Sequence, residues 1–226
     1  MILDTIAAFE VLEHYDIRSA RTDYVDSAEA AIAFAQRRDA RDPREIPIVL
    51  RAASTKPLDR EAFAAEHPLE SAAAIRRAYE RIVREAGTAR VIAQAATEPG
   101  TDLIISGMID PELGRKTIAL QSAAHSVRRM IPLGSDGAEI LASGFQGYRG
   151  SRERAHRMLA HLLEKISAFF EETPVTRFHL RVRLHENGYT VLDAMMESPE
   201  ALHLRRRLDS RAHDRKGDEY RPAGRQ

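Results

Sequence analysis

The chain has 226 residues, 43% of them hydrophobic and 30% charged, and its 34 basic side chains balance 34 acidic ones to a formal net charge of zero. That length can bury one substantial core or two small lobes, and the neutral balance supplies no global field that would draw the chain to nucleic acid or an anionic membrane. The lack of cysteine excludes disulfides, a thiolate nucleophile and cysteine-based metal sites, and no apolar stretch approaches the roughly 18 residues that span a bilayer.

Met1 leads straight into an amphipathic pattern instead of a signal peptide, so the expected location is the cytoplasm. The first helix is marked by Ile6, Phe9, Val11 and Leu12 on one side, and Ser27 before Ala28-Glu29-Ala30-Ala31 has the character of an N-cap for the second. Arg18 to Val25 between them is β-compatible, and Ile46 to Ala53 is the clearest strand of the first half. Lys56 to His67 holds no strand pattern. Pro68 is expected to open an Ala- and Arg-rich helix that Gly87 ends. Alternation resumes in Arg90 to Ala96 and Leu103 to Ile109, joined by a turn at Glu98-Pro99-Gly100-Thr101, and Asp110 to Gly114 turns the chain into Lys116 to Gln121. Val127 to Leu133 reads as a strand, Asp136 to Ser143 as a short helix and Ser151 to Glu171 as a long one.

Pro174 to Ala194 reads as a β-hairpin. Phe178, Leu180, Val182 and Leu184 alternate with Arg177, His179, Arg181 and Arg183, so one strand face is apolar and the other basic. The turn is expected at Glu186-Asn187-Gly188, which carries an Asn-Gly pair, and Tyr189 to Ala194 is expected as the antiparallel return, carrying Asp193. Such a row is either a solvated sheet face or a surface built to meet an anion. Helices interleaved with hairpin-joined strands predict an α+β, mixed α/β fold with largely antiparallel sheet. Residues 1–199 are expected to form the globular domain, with the strands around Ile48, Val91, Ile104, Leu180 and Val191 buried. Residues 200–226, polar and Arg-rich, are expected to be a disordered tail.

Five segments in order resemble the ATP-grasp module of NDP-forming acyl-CoA synthetases, the ADP-forming acetate:CoA ligase β-subunit type. Leu3 to Ile17 resembles that family's opening helix and "yGI" turn, here Tyr15-Asp16-Ile17, and Asp26 to Arg51 resembles its next helix and strand. Gln94 to Gly114 (QAATEPGTDLIISGMIDPELG), Leu141 to Gly150 with its GYRG, and Arg177 to Ala194 resemble three further family segments. The resemblance implies a two-lobed ATP-grasp-like fold that holds a nucleotide for phosphoryl transfer.

It also shows what has changed. The family's strand E-l-D-l-N-P supplies metal-side groups, and the aligned positions here are Arg177, His179, Arg181 and Val182, a donor set that repels a hard cation. Asp193 survives, and a strand lysine that contacts phosphates is replaced by Arg51. The "H-K" relay segment has no counterpart in Ser54 to Asp59, with His67 outside any motif, and the glycine-rich loop is shortened to Leu120 to Ser126. Arg149, between two glycines before a helix, is a candidate anion ligand. The expected ligand is therefore ATP or another phosphate-bearing anion, held without Mg²⁺ by Arg51, Arg149, Arg177, His179, Arg181 and Asp193. The expected function is a catalytically degenerate, ligase-like subunit. Two readings stay open beside it: an active ligase subunit that needs a separate CoA-binding partner, and an interaction module that uses the C-terminal tail.

Overall fold

The computed structural model describes residues 2–37, 47–53, 68–88, 90–110, 114–122, 128–132 and 152–199. Two compact units emerge: one from residues 1–18 and 100–226, the other from Ser19–Pro99. Every strand pairing among the described residues is antiparallel. The proposed helix over Asp136 to Ser143, the GYRG segment with Arg149, the Ser54 to His67 stretch and the tail all lie outside the described residues.

In the unit formed by Ser19–Pro99, β2 (Thr22–Val25), β4 (Val91–Ala95) and β3 (Ile48–Ala52) form a three-stranded sheet in that spatial order. Helix α1 (Thr5–Glu13) belongs to the other unit, while α2 (Ala28–Gln36) and the helix we number α3 (Ala72–Ala86) cover this sheet. Alternation in β3 turns Ile48, Leu50 and Ala52 toward Phe34, Ile75 and Ile82, leaving Val49 and Arg51 on the opposite face. Ser27 caps α2 as predicted, accepting from the Ala30 amide at 3.1 Å. Helix α3 starts later than Pro68 suggests, because Ser71 supplies the N-cap by accepting from the Ala74 amide, whereas Leu69 is taken up in a bridge to Ile48. Gly87 ends it at φ 63°, as expected.

The other unit is built on a six-stranded sheet ordered β1-β9-β8-β5-β6-β7, where β1 is Ile2–Leu3, β5 Thr101–Ile109, β6 Lys116–Ser122, β7 Arg128–Pro132, β8 Arg177–His185 and β9 Gly188–Glu197. Its core joins α1 and the long helix α4 (Arg152–Glu172) to one sheet face: Phe178, Leu180, Val182, Leu184, Leu103 and Ile105 meet Phe9, Leu12, Leu159, Ile166, Phe169 and Phe170. Phe178 stands edge-on to both Phe169 and Phe170, with ring centroids 5.6 Å and 5.0 Å away. The strand around Ile104 is buried as expected through Leu103 and Ile105, while Ile104 itself, of opposite parity in β5, is half-buried.

Three sequence-based details change. Strands β4 and β5 do not pair across the Glu98 to Thr101 turn; they belong to different sheets, and Gly100 is needed because a Cβ there would lie 2.0 Å from the Leu184 carbonyl oxygen. In the hairpin the turn residues are Glu186 and Asn187, since Gly188 already pairs with His185. The return strand then runs on to Glu197, which pairs with Arg177.

Helix ends in this protein are closed by cations from elsewhere in the chain. None of α1, α2 and α4 has a basic residue in its last turn. Lys116 donates to the carbonyls of Phe170, Glu171 and Thr173 at the end of α4, and burial pushes its ammonium below the usual lysine value. Arg21 donates to the Phe34 and Arg37 carbonyls after α2, and Lys165 to the Asp16 carbonyl after α1. The contacts to Phe34, Phe170 and Glu171 lie at the negative end of the helix dipole, and those to Arg37, Thr173 and Asp16 hold the turns just beyond it. The turn after α1 is a Schellman motif: the Asp16 amide donates to Glu13 and the Ile17 amide to Leu12, with Asp16 at φ 53°.

Two substitutions test this packing. Asp16→Gly should raise unfolding free energy by about 0.5–1 kcal/mol, because glycine enters the left-handed region without a Cβ clash. An ideal Cβ on Gly107 would fall 2.0 Å from the buried Phe178 ring, so Gly107→Ala should cost about 1–3 kcal/mol. That cost should shrink in a Phe178→Leu background, as read by a double-mutant cycle of urea melts. An equal cost in both backgrounds would contradict the contact.

Candidate functional site

The face of the six-stranded sheet away from α1 and α4 collects the predicted site residues of that unit that lie among the described residues. Strand β8 contributes Arg177, His179, Arg181 and Arg183. Register places Glu197, Met195, Asp193 and Thr190 of β9 opposite them in turn, and Met108, Ser106, Ile104 and Asp102 of β5 on the other side. A bulge between Arg181 and Val182 leaves Leu192 extra in β9, which keeps Asp193 opposite Arg181 and Thr190 opposite Arg183.

The basic row is therefore not alone. Asp102 sits directly across from Arg183, whose Nε donates to one carboxylate oxygen at 2.6 Å and whose terminal nitrogen donates to the other at 3.0 Å. Arg181, on the diagonal, donates Nε and a terminal nitrogen to that second oxygen at 3.1 Å and 2.9 Å. The Asp102 side chain is 12% exposed, against 42% for Arg181 and 27% for Arg183. Burial alone would raise its carboxyl, but the two guanidiniums outweigh that and hold it below the usual carboxylate value. Arg177 and Glu197 form an exposed pair at 3.8 Å. His179 Nδ1 lies 3.0 Å from Ser106 Oγ. Asp193 accepts from the Thr5 hydroxyl and the Ala194 amide, both at 3.0 Å. Arg177, Arg181 and Arg183 thus share this face with Asp102, Asp193 and Glu197, and His179 lies between Arg177 and Arg181.

Arg177, His179, Arg181 and Asp193 are brought together as the alternation predicts. Arg51 belongs to the other unit, on the β3 face away from α2 and α3 and opposite Ile92 of β4. Arg149 lies outside the described residues. Asp102, Ser106 and Glu197 escape the sequence reading. A signal existed, because Asp102, Ile104 and Ser106 share one parity in Thr101–Ile109, but it becomes informative only once β5 is known to lie beside β8, across 79 residues of chain for Arg181 and Asp102.

Asp102 should stabilise the fold above its unfolded pKa of about 3.9, and that contribution should be lost as pH falls through its lower folded value. Asp102→Asn should therefore cost about 1–2 kcal/mol at pH 7, discounted for the half-exposed Arg181. The gap from wild type should close below about pH 4. A gap that stays constant from pH 7 to pH 3 in thermal melts would contradict the pairing.

Solved structures share this architecture at low identity. The dinucleotide-forming acetyl-coenzyme A synthetase 1 of Ca. Korarchaeum cryptofilum, solved in complex with coenzyme A, Ca-AMPCP and HgCl+, superposes with a TM-score of 0.70 at 20% identity, over 87% of this chain and 93% of that one. PH1788 from Pyrococcus horikoshii Ot3 gives 0.68 at 14% identity over 87% and 91%. ATP citrate lyase from Methanothrix soehngenii, in complex with citrate and coenzyme A, gives 0.60 at 13% identity, over 88% of this chain and 51% of that one. No curated protein sequence matches this one. Among the described residues no helix is long and apolar enough to cross a membrane. The family model for the ATP-grasp domain matches residues 1–197, the span that holds both sheets and the charged face, and the chain belongs to the ATP-grasp domain family.

Proposed function

We propose that this chain is a catalytically degenerate ATP-grasp subunit of the ADP-forming acyl-CoA synthetase type, which binds a nucleotide or another phosphate-bearing anion without Mg²⁺ and works beside a separate CoA-binding chain in the cytoplasm. The observation that carries this reading is the fate of the oxygen donors on the charged sheet face. Mg²⁺ takes oxygen ligands in near-octahedral geometry and is bound through carboxylates and phosphates. Here the resembled metal-side positions hold Arg177, His179 and Arg181, the Asp102 oxygens accept four guanidinium N–H bonds, and Asp193 Oδ1 accepts two bonds from the protein. Among the described residues no group of three or more His, Asp or Glu is placed to hold a metal ion. This donor set does not fit a hard cation.

Guanidiniums suit phosphate instead, since their planar forks donate parallel N–H bonds to its oxygens and keep their charge at any physiological pH. Arg177 and Arg181 remain 60% and 42% exposed on the face, within reach of a ligand. The synthetase of similar fold, solved with coenzyme A and Ca-AMPCP, supports nucleotide as the ligand class and coenzyme A as the molecule that a partner would supply.

Calorimetric titration should show ATP binding in the absence of Mg²⁺, weakening as salt is added and not strengthened by added Mg²⁺. Arg181→Glu should weaken binding at least about tenfold. Arg76→Glu should leave it intact, since Arg76 lies on α3 in the other unit, paired with Glu29. The purified chain should show no Mg²⁺-dependent ATP hydrolysis. Steady turnover that disappears in Asp193→Ala would overturn this reading.

A further inference from the structure

We propose that Asp102 is a built-in anion that occupies the guanidinium forks of Arg181 and Arg183 and competes with an external phosphate-bearing ligand for them, so that it sets the affinity of this face. The inference rests on the anion-binding reading above and adds its regulation. A carboxylate and a phosphate present the same kind of acceptor to a guanidinium: paired anionic oxygens at a spacing that the fork can bridge. Asp102 takes that position from inside the sheet. Its two oxygens receive Nε and a terminal nitrogen from each arginine, at distances between 2.6 Å and 3.1 Å.

The geometry makes the contact adjustable rather than a buried fixture. The carboxylate is the least exposed member at 12%, while Arg181 is 42% exposed, so the cation can turn toward a ligand while its competitor stays on the sheet. Arg183 is Asp102's direct cross-strand partner and forms the two-oxygen fork; Arg181 reaches the same group diagonally and loads both of its nitrogens onto one oxygen. That division marks Arg181 as the arginine that a ligand draws away and Arg183 as the one that keeps Asp102 paired when it does. The same carboxylate also repels an approaching anion across a few ångströms of partly dry surface.

Asp102→Asn removes the charge and keeps the shape, and Asp102→Ser removes both charge and most of the side chain. Each is titrated by calorimetry with inorganic phosphate and with Mg²⁺-free ATP at fixed ionic strength, beside wild type and after a thermal melt has verified folding. Both variants should bind about tenfold to a hundredfold more tightly than wild type, the reverse of what a purely structural carboxylate would give, because its loss would loosen the arginines and weaken binding. Tighter binding only of ATP would show that the competition needs the nucleotide's triphosphate or adenosine, and tighter binding of both would show that one phosphate group is enough; either outcome supports the brake. If wild type binds and neither variant binds more tightly, the brake is wrong and the anion-binding reading stands. If neither wild type nor the variants bind either probe, both fail. If neither variant folds, Asp102 is a structural group and the brake is overturned.

Discussion

The register of β8 between β5 and β9 is the constraint on which the rest of its unit depends. A strand's side chains alternate with period two, so one setting of the pairing sends Phe178, Leu180, Val182 and Leu184 to the helices and leaves Arg177, His179, Arg181 and Arg183 on the opposite face. A slip of one residue would bury three arginines against Phe169 and Phe170, which the core could not accommodate without unpaired charge. Core packing therefore fixes the geometry of the charged face. The Phe178 ring seated over Gly107 and the Leu184 carbonyl against Gly100 hold the β5 side of that register, and the bulge at Leu192 adjusts the β9 side.

The charge balance follows from the same register. Read along one strand, Arg177 to Arg183 is a cationic row; read across the sheet, each arginine meets a carboxylate from a neighbouring strand. Arg181 and Arg183 are thus positioned by the Asp102 they share, while Arg177 and Glu197 form a looser, exposed pair.

Local features of the fold were legible in the sequence because they rest on local physics. The β8 alternation, the Ser27 cap, the Gly87 stop and the amphipathic stripe of α4 need no knowledge of distant partners. The misplacements arise where a distant element decides. Leu69 is drawn into a bridge with Ile48, which moves the start of α3 to Ser71. Glu98 to Thr101 carries the chain from one sheet to another instead of joining a hairpin, because β5 finds its partners in β6 and β8. Asp16 shows the reverse case: the position where the resembled family writes glycine keeps its left-handed backbone here with an aspartate, a residue that tolerates that region. Within the candidate site, the β8 residues and Asp193 were legible, whereas Asp102 and Glu197 were not, since only the long-range pairing of β5 and the full length of β9 bring them to the arginines.

The degeneracy we propose needs the scaffold and the reactive groups to be held by different residues. In this chain the core residues, turns and caps sustain an ATP-grasp architecture, while the strand that faces the charged surface carries guanidiniums and an imidazole at the resembled metal-side positions. The direct test is a Mn²⁺ titration of the purified chain in the presence of Mg²⁺-free ATP, followed by electron paramagnetic resonance. The account predicts that the Mn²⁺ signal follows the metal–ATP equilibrium alone, with no protein-held population. A saturable protein-bound Mn²⁺ signal that is lost in Asp193→Ala would contradict it.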